Sequence, residues 1–150
     1  MADNIPIIIF HLGNQEYVKL CLQQLKKYDN HVILLNNDPN NFNELKNNTC
    51  DIVDYKDYNM NSHNFIKLYK HFSSNGYQLE LICIIRWMCI YEYMKSKNIK
   101  RAFICDSDIL IYENITSIND KYLKNNDFML CSSSSKNLTG SQSIWNFEKL

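Results

Sequence analysis

Residues 5–38 read IPIIIFHLGNQEYVKLCLQQLKKYDNHVILLNND, and this stretch decides the fold class. Ile5–Phe10 and His31–Leu35 are apolar runs of the kind that forms strands buried in a parallel sheet. Glu16–Tyr28 lies between them and carries apolar residues at the i, i+3, i+4, i+7 spacing of an amphipathic helix. These residues are Val18, Cys21, Leu22 and Leu25. A strand, a helix and a strand in this order predict a right-handed βαβ unit with parallel strands.

The rest of the chain continues this alternation. Further strands are predicted at Asp51–Tyr55, Arg101–Cys105, Ile109–Tyr112 and Asp127–Cys131. Further helices are predicted at Ser62–Phe72, Gln78–Lys97 and Ile115–Leu123, and the predicted capping residues are Asn14, Glu80 and Thr116. Ser132–Gly140 is predicted to be a flexible polar segment, and a helical turn is predicted to begin just before Leu150. This pattern, without repeats or a linker, predicts one α/β domain over residues 1–150 with a mostly parallel sheet.

Composition narrows the class of protein. The chain has 16 basic and 16 acidic residues and no net formal charge, which argues against a broad nucleic-acid-binding surface. Six cysteines occur without a Cys-x-x-Cys pair, so we expect reduced, buried thiols rather than a zinc site. No signal-peptide pattern and no transmembrane segment is recognised, and we expect a cytoplasmic protein.

Two carboxylates stand one residue apart between two short apolar runs. The segment 102–112 reads AFICDSDILIY, with Asp106 and Asp108 at its centre. Residues i and i+2 of a strand point to the same side, so a bend at the end of the strand lets both carboxylates face one cation. Hard oxygen ligands of this kind suit Mg²⁺ or Mn²⁺, and such a cation is most useful where a diphosphate must be held.

Polar clusters also follow the other predicted strands. Residues 11–14, 36–38 and 106–108 each come directly after an apolar run. Ligands of open parallel sheets bind at the carboxyl ends of the strands. We therefore expect these three clusters to converge on one edge of the sheet.

A single charged residue interrupts the longest predicted helix. Leu81–Tyr91 is apolar except for Arg86 and is too short to span a bilayer, so we expect protein to cover most sides of the helix. A buried guanidinium must be paired with an anion. The sequence leaves two partners open: a structural one (Asp106, Asp54 or a main-chain carbonyl), or the diphosphate of a ligand.

Asp106-Ser107-Asp108 after an apolar strand resembles the Asp-x-Asp signature of GT-A glycosyltransferases. The surrounding sequence is similar to a group of small GT-A-like transferases over nearly all of the chain. The segments that carry this likeness are Ile7–Asn14, Tyr69-x-His71-x-Ser73-Ser74-Asn75, Leu79–Cys83, Arg86-Trp87, Cys105–Leu110 and Ser143–Asn146. The resemblance implies a GT-A fold, a Rossmann-like α/β/α sandwich that binds a nucleotide-diphosphate sugar.

The resemblance also implies a function and roles for particular residues. The chain would move a sugar from a UDP- or GDP-sugar donor to a glycan or other hydroxyl acceptor, with Mn²⁺ or Mg²⁺ as cofactor. Asp108 would be a direct metal ligand, Asp106 would bind the metal or the donor ribose, and Arg86 would support Asp106 or the diphosphate. The remaining implied donor-site or acceptor-site residues are His11, Leu12, Gly13, Asn14, Asn36, Asn37, Asp38, Ser107, Trp145 and Asn146.

Several alternatives stay open at this stage. GT-A enzymes are usually considerably longer than this chain of 150 residues. Three alternatives follow: a domain truncated at its C-terminal end, a minimal enzyme, or a non-catalytic nucleotide-sugar-binding module or partial domain that a partner completes. A phosphatase of the haloacid-dehalogenase type would use Asp106 as nucleophile, but the motif continues Ile-Leu rather than Gly-Thr. Asp127 and Glu148 are candidates for a general base. A homo-oligomer also remains open.

Overall fold

The computed structural model describes residues 4–134 and 137–150. Within them, six strands form one sheet in the order β3-β2-β1-β4-β6-β5. The strands are β1 (Ile7–His11), β2 (Val32–Asn36), β3 (Cys50–Asp54), β4 (Arg101–Cys105), β5 (Phe128–Ser134) and β6 (Asn137–Asn146). Strands β1 to β4 are mutually parallel, whereas β6 runs antiparallel to both β4 and β5. The prediction of an α/β fold with a mostly parallel sheet is confirmed.

The helices cover both faces of this sheet. They are α1 (Glu16–Lys26), α2 (Met60–Leu68), α3 (Tyr77–Ser96) and the short α4 (Ile115–Ile118). Single 3₁₀ segments occur at Pro39–Leu45, Tyr55–Tyr58 and Phe147–Lys149, and a π-helical turn at Asn119–Leu123 follows α4. No described helix combines the length and the apolar character that a membrane crossing requires.

Alternation along each strand divides the core into two layers. In β1, Ile7 and Ile9 face the layer that contains α1, whereas Ile8 faces the layer that contains α3. The α1 layer includes Val18, Leu22 and Leu25, and the α3 layer includes Ile90, Tyr93 and Met94. Burial of both faces explains why the parallel strands read as continuous apolar runs rather than as alternating ones.

Helix α3 runs antiparallel to the strands and extends past their carboxyl ends. Near its C-terminus, the Ile99 N–H donates to the Met94 carbonyl (2.9 Å), just before β4 begins. Arg86, halfway along the helix, contacts Asp106, which directly follows β4. The part of α3 that precedes Arg86 therefore lies beyond the edge of the sheet.

The predicted capping residues are wrong. Helix α1 begins after Gln15, and neither Gln15 nor Asn14 makes a side-chain capping bond. Helix α4 is capped by Asn114, whose Oδ1 accepts from the Ser117 N–H (3.0 Å). Thr116 instead accepts a hydrogen bond from the Ile5 N–H (3.0 Å), because its hydroxyl faces the chain that leads into β1.

Two segments also differ from their predicted structure. Helix α2 ends at Leu68 because Tyr69 has extended backbone angles (φ −65°, ψ 126°), which leaves the predicted residues 69–72 outside it. Ile109–Tyr112 forms no strand, since the chain turns away at 107–108. Part of the predicted flexible segment belongs to the β5–β6 hairpin, and residues 135 and 136 lie outside the described residues.

Candidate functional site

The polar segments that end β1 and β2 and continue beyond them are joined by hydrogen bonds at the carboxyl edge of the sheet. The buried Asn36 side chain donates from Nδ2 to the carbonyls of His11 (2.7 Å) and Gly13 (3.0 Å). The Gly13 N–H donates to Oδ1 of Asn37 (2.6 Å). The predicted convergence of the segments 11–14 and 36–38 is confirmed. Leu12 is partly exposed, Asn14 and Asp38 are exposed, and the Asp38 N–H donates to Oδ1 of Asn36 (2.8 Å).

Gly13 is required by the backbone at this position. Its φ of +105° lies in a region that L side chains rarely adopt. A Cβ atom here would also lie 2.6 Å from Oε1 of Gln15. Glycine therefore allows the loop to turn back over the end of β1.

His11 connects this loop to the aspartate motif. Its Nε2 lies 2.6 Å from Oε1 of Gln15, and its Nδ1 lies 2.9 Å from Oγ of Ser107. An amide oxygen can only accept, so Nε2 donates to Gln15, and Nδ1 shares a second hydrogen bond with the Ser107 hydroxyl. His11 and Ser107 are both buried, and their bond fixes the loop after β4 against the end of β1. The segment 106–108 therefore converges with the other two, as predicted.

Arg86 is paired with Asp106. Its Nη1 donates to Oδ1 of Asp106 at 2.7 Å, with side-chain exposures of 21% for Arg86 and 39% for Asp106. This bond confirms one of the predicted structural partners and excludes Asp54. The buried Arg86 Nε has no hydrogen-bond partner in the described part of the chain. The guanidinium also lies 5.2 Å from the ring of Trp87.

Asp108 lies on the opposite side of Ser107 and has different neighbours. It is exposed, and neither a hydrogen bond nor an ion pair joins it to another described residue. Burial, and after it the negative charge of Asp108, raises the pKa of the Cys21 thiol to about 11. Cys21 of α1 donates from Sγ to the Ile109 carbonyl (3.2 Å), so the chain next to Asp108 lies against α1, whereas Asp106 is bonded to Arg86 of α3.

The carboxylates of Asp106 and Asp108 are hard oxygen ligands, but they lie toward different helices, α3 and α1. Oδ2 of Asp106 and both carboxylate oxygens of Asp108 have no protein partner within the residues described. Across residues 4–134 and 137–150, three or more His, Cys, Asp or Glu side chains are nowhere grouped as metal ligands. Mg²⁺ is commonly held by one or two carboxylates together with substrate phosphates and water, so one of these carboxylates is enough to supply the protein ligand.

The structure does not bring Asn146 to this edge. Strand β6 is antiparallel to β4, so Asn146 lies opposite Arg101 at the start of β4 and accepts from its Nη1 (2.6 Å). Trp145 lies opposite Ala102, one residue further along. The residue of β6 that faces the end of β4 is Gln142, opposite Cys105. Neither the direction of β6 nor its register follows from the local sequence.

The two candidates for a general base also lie away from this edge or in solvent. The Asp127 carbonyl accepts from the Asn146 N–H (3.0 Å), which places Asp127 near the start of β4. Glu148 is exposed in the 3₁₀ turn that follows β6. Neither residue contacts the segments around Asp106.

Some functional candidates have no strong signal in the sequence. Gln15 orients His11, and only its position four residues after His11 connects the two. Glu80 does not cap α3, because its Oε1 accepts from the Tyr69 hydroxyl (2.8 Å). His71 lies beyond the end of α2, and its Nδ1 is 3.2 Å from the Tyr69 hydroxyl.

Comparisons with protein-family models, with curated proteins and with solved structures give no match to this chain. The functional argument therefore depends on the residues and contacts described above.

Proposed function

We propose that this chain is a metal-dependent glycosyltransferase that binds a nucleotide-diphosphate sugar with a GT-A-type fold. The observation that carries the proposal is the pairing of Arg86 with Asp106 next to the unpaired Asp108, at the carboxyl ends of parallel strands. His11, Ser107 and Asn36 fix this loop system in place. Open parallel sheets bind nucleotides at such edges.

Each side chain has a distinct part in donor binding. The unpaired carboxylate of Asp108 would hold the Mn²⁺ or Mg²⁺, and the free Oδ2 of Asp106 would bind the same cation or the donor ribose. Arg86 fixes the orientation of Asp106, and its remaining N–H groups bind a phosphate oxygen. The amide side chain of Asn37 and the loop at Gly13 form the nucleoside side of the site. When bound, the cation neutralises charge on the diphosphate leaving group.

A second candidate is a module that binds the nucleotide sugar without transferring it. It is favoured by the positions of Asp127 and Glu148, which lie away from the aspartate motif or in solvent. The two candidates share the donor site and differ in turnover. Binding and turnover therefore have to be measured separately.

The first test is the substitution Asp108→Asn. We expect the wild-type chain to bind UDP-glucose or GDP-mannose only with Mn²⁺ or Mg²⁺, and the variant to bind at least tenfold more weakly in calorimetry. Because Asp108 is exposed and unpaired, its melting temperature should stay close to that of the wild type. Asp57→Asn, at an exposed aspartate in a 3₁₀ turn, is the matched control and should bind normally.

Two results would contradict the proposal. One is metal-independent binding of the donors, and the other is equal affinity in Asp108→Asn and wild type. Donor binding without any hydrolysis or transfer would instead favour the binding module.

A further inference from the structure

A second group of polar and aromatic side chains lies at the beginning of α3. The Tyr69 hydroxyl donates to Oε1 of Glu80 (2.8 Å), and Nδ1 of His71 lies 3.2 Å from the same hydroxyl. The rings of Tyr69 and Tyr77 lie 6.2 and 5.7 Å from the His71 ring, measured between centroids. The His71 and Glu80 side chains are mostly buried, with exposures of 23% and 24%. These four residues are called the Tyr69–His71 cluster below.

The hydrogen bonds determine which nitrogen of His71 carries the proton. The Tyr69 hydroxyl has one proton and gives it to the Glu80 carboxylate, so toward His71 it can only accept. Nδ1 of His71 is therefore protonated, and the lone pair of the neutral ring is on Nε2. The described residues supply no hydrogen-bond partner for Nε2.

The carboxylate of Glu80, which ends this series of hydrogen bonds, is held in its charged form. The Ser73 side chain first, and then the Tyr69 hydroxyl, lower the pKa of Glu80. Burial raises the pKa of Tyr69 to about 12, followed by its bond to Glu80, so the hydroxyl keeps its proton at neutral pH. The hydrogen bonds Glu80–Tyr69–His71 thus orient the imidazole, a part that a carboxylate in direct contact has in a catalytic triad.

The Tyr69–His71 cluster lies beyond the edge of the sheet on which the aspartate motif lies. Glu80 precedes Arg86 by six residues, which is about 9 Å along the axis of α3. Arg86 is bonded to Asp106 at the carboxyl edge of the sheet, so Glu80 lies further out along α3 than the proposed diphosphate site, on a different face of the helix. This separation is of the order of a sugar unit attached to a diphosphate.

We propose that His71 is the general base of the transfer reaction, which rests on the proposed glycosyltransferase function. The acceptor hydroxyl gives its proton to Nε2 of His71, and an electron pair of its oxygen forms the bond to the anomeric carbon. The bond from that carbon to the diphosphate oxygen breaks, and its electron pair leaves with the nucleoside diphosphate. Such a direct displacement inverts the anomeric configuration. Tyr69 and Glu80 are positioning residues, since they act on His71 and not on the acceptor.

The test compares His71→Gln with His63→Gln, an exposed histidine on α2, in the full chain. The readouts are binding of UDP-glucose and GDP-mannose with Mn²⁺, hydrolysis of these donors with water as acceptor, and transfer to methyl glycosides. We expect His71→Gln to lower turnover at least 100-fold, as loss of a general base does, while donor affinity stays within twofold. His63→Gln should match the wild type in every readout.

Tyr69→Phe separates a positioning role from a merely structural one. It removes the hydroxyl between Glu80 and His71 and should move the pH at which wild-type turnover is half-maximal, because the imidazole loses its link to the carboxylate. An ¹⁵N–¹H correlation spectrum of the wild-type imidazoles should show His71 protonated at Nδ1 and unprotonated at Nε2.

Each outcome has a definite meaning. Turnover that is unchanged in His71→Gln with intact donor binding, a proton on Nε2, or donor binding without any turnover would each overturn the role of His71 alone. Absence of donor binding in the wild type would overturn the glycosyltransferase function, and the general base with it.

Discussion

Arg86 shows how one charged side chain can serve both the fold and the site. A guanidinium among apolar residues is costly unless an anion compensates it, and Asp106 supplies that anion at 2.7 Å. The pair is only partly buried, so solvent screens it and its net contribution lies below that of a fully buried pair. The unpaired Nε leaves Arg86 able to bind a further anion. We therefore expect Arg86 to matter more for the orientation of Asp106 than for the free energy of unfolding.

We expect Arg86→Leu to lower the free energy of unfolding by about 1–2 kcal/mol, between the values for exposed and buried ion pairs. Urea unfolding checks this value, and calorimetry should show weaker donor binding in the same variant. Arg86→Lys keeps the charge and is the matched control, which should restore stability more than binding because an ammonium lacks the planar fork. A wild-type unfolding midpoint in Arg86→Leu would mean that the pair contributes nothing to stability.

At the scale of elements, α3 combines a buried half with an open one. Ile90 and Met94 are fully buried against the sheet, whereas Leu79 is 62% exposed and Cys83 is exposed. Within Leu81–Tyr91, the stretch expected to be covered by protein, only Cys83 is exposed, so the expectation is confirmed for most of it, and the open start of α3 lies before this stretch. The sequence could not show this, because the helix is apolar on nearly every face and carries no polar stripe that marks the solvent side.

The two halves of α3 should respond differently to truncation. We expect Ile90→Ala to lower the free energy of unfolding by about 2–5 kcal/mol, because it leaves a cavity in a packed layer. Leu79→Ala, the matched control in the open half, should change it by less than about 0.5 kcal/mol. Chemical denaturation of both variants measures the difference. Equal losses would show that the first turns of α3 are packed in solution.

The sequence predicts well those elements in which burial fixes the spacing of the apolar residues. The strand Arg101–Cys105 has its predicted bounds, and the start of α1 at Glu16 is also as predicted. Capping residues and the end of α2 were predicted less well, since they depend on contacts between distant segments. Thr116, for example, contacts Ile5, which no local pattern indicates.

The same distinction applies to the site. Residues that follow parallel strands, such as His11 and Asp106, were predicted together because topology alone brings strand ends to one edge. Asn146 was not predicted correctly, because the antiparallel direction of β6 sends it to the other edge. The Glu80–Tyr69 bond was missed because it joins a loop to a helix across eleven residues of chain.

At the scale of the whole molecule, buried thiols make the free energy of unfolding depend on pH. The six cysteines are free, and four of them are buried: Cys21, Cys50, Cys89 and Cys105. Burial raises the pKa of Cys21 and Cys50 to about 11 and that of Cys89 to about 12. An unfolded cysteine ionises near 9, so above that pH the unfolded chain holds fewer protons than the folded one.

Stability should therefore fall as pH rises from 9 toward 11, by about 1 kcal/mol per buried thiol at pH 10. The sign follows from proton linkage, because a rise in pH favours the state that has released more protons. Urea unfolding from pH 7 to 10.5 measures the curve. Cys89→Ala should make it less steep because one shifted thiol is removed, whereas Cys83→Ala, at an exposed position, should leave its slope unchanged. A flat curve in the wild type would mean that these thiols are accessible to hydroxide in the folded state. The two core layers would then open far more readily than their burial implies.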